Sequence, residues 1–187
     1  MGTVRLGRGD RRGAAGGNRR AIAIVTWPDE KAAWVRAALL QICERRRVLD
    51  LEFLGDGTVS EAMAWLQTLP GVGPKVAAAV LNFSPLDRPI LVIDGHVHRV
   101  LQRLGLAWEA ESVAASLPRV MAQVPVGWTG EDLMELHVHL KRIGKTTCRP
   151  HGTYCAACPL GSRCARAAAL GRRRRPVASA GKELSLA

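Results

Sequence analysis

At 187 residues, 48% of them hydrophobic but with only two Phe and one Tyr, the chain is long enough to bury a core in one domain or two small lobes. No apolar run reaches membrane-spanning length, and no apolar stretch follows the Arg-rich start as a secretion signal requires. A soluble, cytoplasmic protein with no membrane partner is therefore expected. The net charge of +11 is mostly a property of the ends: residues 1–20 carry six Arg against Asp10, and residues 165–187 carry five Arg and Lys182 against Glu183. A high pI of this origin says little about the core. Within the core, however, Lys141, Arg142, Lys145, Arg149 and Arg163 fall in a stretch, 141–164, that has no acid. Such a local excess suits phosphate, although a merely solvated basic surface has the same composition.

Alanine and leucine dominate and apolar residues recur with a helical period, so the fold class is all-α. Residues 1–26 form a Gly/Arg-rich arm without hydrophobic period, expected to be disordered. From Trp27 the pattern becomes ordered. Asp29 can cap a helix over 30–47 whose apolar side holds Trp34, Val35, Leu39, Ile42 and Cys43, the last as a core residue. Thr58 and Glu61 have capping-box spacing and open a helix that buries Met63 with Trp65 or Leu66.

Next comes the turn Leu69-Pro70-Gly71-Val72-Gly73, then Pro74 and Lys75 at the head of the run PKVAAAVLNF. Two helices joined so briefly make an αα-hairpin. Gly71 and Gly73 allow positive φ and leave the backbone open to close approach, and Pro74 suits the first helical position. The free N–H groups of such a turn form an anion site, suited to a DNA phosphate. Lys75 lies in the first helical turn, where the positive end of the helix dipole favours the neutral, nucleophilic amine. Taken alone, a GVG turn is often only a turn, and such a lysine is usually a solvated surface residue.

Residues 84–89 are turn-rich, and Ile90 to Ile93 read as a buried extended segment without an obvious strand partner. Asp94 falls at the N-cap of a helix with Val97, Val100, Leu101 and Leu104 inward and Gly105 as its stop; capping alone would explain an aspartate there. His96 and His98, two apart, lie on different faces and do not suit one metal. Residues 109–124 form a weaker helix broken or restarted at Pro118. A clearer one runs over 131–143, with Leu133, Leu136, Leu140 and Ile143 inward, Gly144 closing it, and His137 and His139 as packing or surface residues.

Cys148, Cys155, Cys158 and Cys164 follow with spacing C-x6-C-x2-C-x5-C. Four thiolates within seventeen residues can wrap one metal centre, and spacing alone leaves zinc and a [4Fe–4S] cluster open. A basic tail, 167–187, expected to be disordered, ends the chain.

LPGVGPK, followed nineteen residues after its lysine by the aspartate of IDGHVHRV, resembles the helix-hairpin-helix and catalytic aspartate of the endonuclease III family. The cysteine spacing is similar to that family's [4Fe–4S] loop, so two motifs agree in order. The resemblance covers about 27–166, a glycosylase domain with its cluster loop at 148–164. It implies a base-excision DNA glycosylase with abasic-site lyase activity, acting on double-stranded DNA with damaged bases or abasic sites, and monomeric on DNA, with association through uncovered apolar surface as the other expectation. Lys75 would attack the sugar, Asp94 would stabilise charge or move protons, and Leu69 to Gly73 with Arg149 and Arg163 would grip the backbone. Because monofunctional relatives lack the lysine, the resemblance points to oxidised pyrimidines. Two features depart from the family pattern: Gly95 replaces a threonine beside the aspartate, and a Gly/Arg-rich stretch stands where the family carries several helices. A lyase-only or non-catalytic DNA-binding iron–sulfur protein is the alternative that follows.

Overall fold

The computed structural model describes residues 27–174, and every structural statement below concerns those residues. They form helices α1 (Pro28–Arg46), α2 (Val59–Leu66), α3 (Pro74–Phe83), α4 (Gly95–Leu104), α5 (Val113–Met121), α6 (Gly130–Thr146) and α7 (Ala165–Arg174). Short 3-10 turns lie at Glu52–Gly55, Cys155–Ala157 and Gly161–Arg163, and among the described residues there is no strand. The all-α expectation holds. The expected arm before Trp27 and the tail beyond 174 lie outside the described residues.

The described chain divides into two compact units. Of the described residues, the first combines 27–94 with 124–137, and the second combines 95–123 with 138–174. Helix α6 therefore contributes its first half to one unit and its second half to the other.

In the first unit, α1 starts two residues earlier than expected. Pro28 occupies the first turn, where its missing N–H is no loss, so Trp27 (φ 62°) becomes the N-cap and Asp29 moves inside the first turn. Its inward face is also narrower than the sequence pattern suggests. Ala32 and Ile42 are buried, whereas Trp34, Val35 and Leu39 are 45%, 44% and 38% exposed. A helix covered along a narrow strip leaves the rest of a broad apolar side in solvent. Cys43 is half-buried.

The Thr58–Glu61 capping box forms as expected. The Thr58 hydroxyl accepts from Glu61 N–H at 3.2 Å, and Glu61 accepts from Thr58 N–H at 2.8 Å. The Thr58 N–H and, at 2.7 Å, the Thr58 hydroxyl both donate to the Glu61 carboxylate and hold it below its ordinary range. Helix α2 then buries Ala62, Met63 and Leu66, and Trp65, half-buried, meets Phe53 edge-on at 4.9 Å. A second box, not read from the sequence, opens α6: Thr129 N–H donates to Asp132 at 2.7 Å and Asp132 N–H to Thr129 at 3.2 Å. The Thr129 N–H and, at 2.8 Å, the Thr129 hydroxyl likewise donate to the Asp132 carboxylate and push it down. Leu81, Leu91 and Leu133 are fully enclosed, each contributing about 1.5–3 kcal/mol by removal from water.

The second unit corrects three boundaries. Helix α5 passes through Pro118 without a break, because the ring removes one N–H while Ala122 N–H still reaches the Pro118 carbonyl at 3.0 Å. Helix α6 does not close at Gly144 but runs to Thr146. Gly144 is a contact residue: a Cβ there would come within 2.9 Å of both His96 Cβ and the His96 carbonyl. Residues 167–174, assigned above to a basic tail, continue α7. Gly105 (φ 88°) stops α4 as expected, with Val97, Val100 and Leu101 buried and Leu104 only half-buried.

Candidate functional site

In the hairpin, α2 ends at Leu66 and α3 begins at Pro74, with the two helices packed together. The two glycines between them have different physical reasons. Gly71 sits at φ 73°, and a Cβ there would lie 2.7 Å from Trp34 Cβ and 2.8 Å from its Cγ. The fold itself demands a glycine. Gly73, expected to use positive φ, is instead ordinary extended backbone (φ −92°, ψ −179°), and a Cβ there would meet nothing within 4 Å. Nothing in the described chain requires Gly73 to lack a side chain. Its bareness leaves room for a group from outside.

Leu69 is buried; its carbonyl accepts from Val72 N–H at 3.2 Å, so its share in any interface is through the backbone. Pro70 and Val72 are half-buried, and Gly71 and Gly73 are exposed. Among the described residues no acceptor takes the N–H of Gly71 or Gly73, and the first N–H groups of α3 have no intrahelical partner. Lys75 is exposed immediately beyond. Arg45, on α1, extends to the hairpin's rim: Nη1 donates to Thr68 Oγ1 at 2.7 Å, with the guanidinium 5.8 Å from the Trp65 ring.

Asp94 belongs to the same unit as Lys75 and is 7% exposed at the end of the buried segment 90–93. That segment has no strand partner, as expected. Its Val92 carbonyl is instead bonded by His137, a residue the sequence left as packing or surface; His139 is exposed.

In the second unit, Cys148, Cys155, Cys158 and Cys164 all line one small open-sided cavity, together with Arg103, Thr147 and Gly161. Each is a half-buried free thiol. Tight turns bring them there: Cys158 N–H donates to the Cys155 carbonyl, Gly161 N–H to Cys158, and Cys164 N–H to Gly161. Among the described residues no three His, Cys, Asp or Glu gather closely enough to hold a single metal ion. An all-thiol donor set fits an iron–sulfur cluster, as it also fits zinc.

Two arginines of α4, missed from the sequence, tie this loop to the helix. Arg103 donates to Cys148 Sγ at 3.2 Å and to the Arg149 carbonyl at 2.7 Å, while its own carbonyl accepts from Cys164 Sγ. Arg99 donates to the carbonyls of Gly144 at 2.7 Å and Cys148 at 3.0 Å. Their i, i+4 spacing was the available signal. Arg149 and Arg163 are exposed, Arg149 anchored by a 3.0 Å bond to the Thr146 carbonyl.

A helical hairpin with an open approach at Gly73 and an exposed lysine, together with a four-cysteine loop, defines an all-helical helix-hairpin-helix protein. Comparison with known proteins agrees. The chain is 36% identical over 99 residues to endonuclease III of Bacillus subtilis, covering 53% of this chain and 43% of that one. It is 33% identical over 125 residues to endonuclease III of Thermotoga maritima, covering 66% and 54%. No family model matches. Among solved structures, a non-covalent endonuclease III–DNA complex superposes with TM-score 0.64 at 23% identity, over 84% of this chain and 67% of that one. A trapped endonuclease III–DNA covalent intermediate gives 0.62 at 24%, over 84% and 68%. The chain is thus similar in sequence to endonuclease III proteins and shares their helical fold. It spans about half the length of these two curated relatives.

Proposed function

We propose that this protein is a base-excision repair enzyme that removes damaged bases, oxidised pyrimidines in particular, and nicks the strand at abasic sites. The observation that carries this reading is the hairpin. Gly73 is bare without any need of the fold, and Lys75 stands two residues further on, at the start of α3. The N–H groups around Gly71 and Gly73 hold a DNA phosphate without reference to sequence. The target nucleotide is turned out of the duplex so that its sugar can be reached.

Lys75 Nζ, as the free amine, attacks C1′ and the bond to the base breaks, the base leaving with the electron pair. The sugar opens to a Schiff base on Lys75. Loss of a proton from C2′ then expels the 3′ phosphate and the strand is cut. Asp94, as carboxylate, stabilises the positive charge developing on the sugar and passes protons around the lysine.

Cys148, Cys155, Cys158 and Cys164 are the residues that would hold a [4Fe–4S] cluster. When bound, such a group cross-links the loop and fixes it in shape. Arg149 and Arg163 on that loop face the DNA backbone. The protein acts as a monomer on DNA, in the cytoplasm.

A second reading, abasic-site lyase with weak or no base release, is favoured by the apolar side of α1, where Trp34, Val35 and Leu40 are exposed. A pocket wall needed for base recognition would cover such a face, whereas the lyase step needs only Lys75 and a sugar already free of its base. Borohydride trapping on duplexes carrying an abasic site or an oxidised pyrimidine tests both. Trapping on both substrates supports the first reading, trapping on the abasic duplex alone supports the second, and no trapping refutes the lysine chemistry.

A further inference from the structure

The segment Ile90 to Ile93 leads directly into Asp94 and is among the most deeply buried parts of the chain, each residue 4% exposed or less. It is extended, yet no strand pairs with it, so its buried carbonyls depend on other donors. His137 provides one. Its Nδ1 lies 2.6 Å from the Val92 carbonyl oxygen, and the residue is 3% exposed. A carbonyl only accepts, so Nδ1 carries the hydrogen. The other face of the contact involves Phe83, whose ring meets the imidazole edge-on with centroids 5.2 Å apart. Phe83 is the last residue of α3, the helix whose first turn bears Lys75. One imidazole therefore touches α6, the strap before Asp94 and the far end of the lysine helix, all within the first unit.

We infer that His137 is a positioning residue for the reaction proposed above: by holding the Val92 carbonyl it fixes the backbone two residues before Asp94, and so sets where that carboxylate stands relative to Lys75. The inference rests on the proposed roles of Lys75 and Asp94. Displacement of a reacting group by about 1 Å can cost on the order of a hundredfold in rate. A satisfied core histidine with no such role would show up in stability alone.

The test uses the full chain and the single-turnover rate of borohydride trapping on abasic duplex, with the Kd for the same duplex measured separately. His137→Phe keeps a ring against Phe83 and removes the donor. His137→Asn keeps an amide N–H close to the position of Nδ1. The expected result is a fall of at least about tenfold in trapping rate for His137→Phe with Kd within about twofold, and recovery to within about threefold for His137→Asn. Because His137 acts through Asp94, His137→Phe combined with Asp94→Asn should trap no more slowly than Asp94→Asn alone. Unchanged trapping in His137→Phe, multiplied losses in the double variant, or no recovery with Asn overturns the inference. If His137→Phe does not fold, Asn against Gln decides, since Gln carries its amide one methylene further. Loss with Gln and retention with Asn support the role, and equal rates refute it. A wild-type chain that never traps overturns the proposed function itself, whereas trapping that ignores His137 overturns this inference alone.

Discussion

Alanine placed at Gly71 and at Gly73 should separate what the hairpin needs to fold from what it needs to bind. At Gly71 the new Cβ would sit at φ 73° and 2.7–2.9 Å from Trp34 Cβ, Cγ and Cδ2. Left-handed backbone costs an L-residue roughly 1–2 kcal/mol and overpacking about 1–3 kcal/mol. A combined loss of about 2–5 kcal/mol lowers Tm by on the order of 4–20 °C for a chain of this size. At Gly73 the backbone is extended and the Cβ meets nothing. Ala is a poorer N-cap than Gly by some tenths of a kcal/mol, but it removes about 0.4–1 kcal/mol of unfolded-state freedom, so stability changes by less than about 1 kcal/mol. DNA affinity behaves in the opposite way: the Gly73 variant, folded as wild type, should bind abasic-analogue duplex at least about tenfold more weakly, since the methyl fills the approach to the N–H groups. Thermal melting and fluorescence anisotropy on both variants give the two readouts. Wild-type affinity in Gly73→Ala refutes the phosphate site, and an equal fall in Tm for both variants refutes the separation of roles.

Lys75→Ala should abolish the trapped complex and strand nicking while Kd stays within about twofold; trapping that survives moves the nucleophile elsewhere. Purified protein should be brown with four irons per chain, as a [4Fe–4S] group implies, and colourless protein with one zinc refutes that assignment. Cys155→Ser removes one thiol from the cavity and should lower the proteolytic resistance of the second unit, read by limited proteolysis, with little effect on abasic-duplex Kd. Acid should act in steps. His98, pushed down by burial against the opposing pull of Glu111, contributes stability above pH 6.5 that is lost as pH falls through its folded value. Glu61 and Asp132, each held down by its capping threonine, lose theirs below the ordinary 4.5 and 3.8. Thr58→Ala and Thr129→Ala should flatten the lower step in a urea titration against pH.

Much of this was legible because it is local. The Thr58–Glu61 box, Pro74 at a helix start, Gly105 as a stop and the cysteine spacing are each fixed by neighbours within a few residues, where propensity and hydrogen bonding act without help from the rest of the chain. Periodicity likewise located the helices and the buried run before Asp94. What the sequence could not supply was which contact comes from far away. Gly71 and Gly73 look equivalent in the string, yet only the packing of Trp34 from α1 makes one structural and leaves the other free. Gly144 has the look of a stop signal, but α6 runs on because the residue is needed where His96 approaches. Trp34, Val35 and Leu39 have core character and stay exposed, because burial depends on a neighbour and not on the residue alone. The same holds for His137 and Arg103: their roles depend on a carbonyl 45 residues away in one case and a thiol 45 residues away in the other. Distances of that kind in sequence carry no periodic signal, and only the closed tertiary structure brings the partners together.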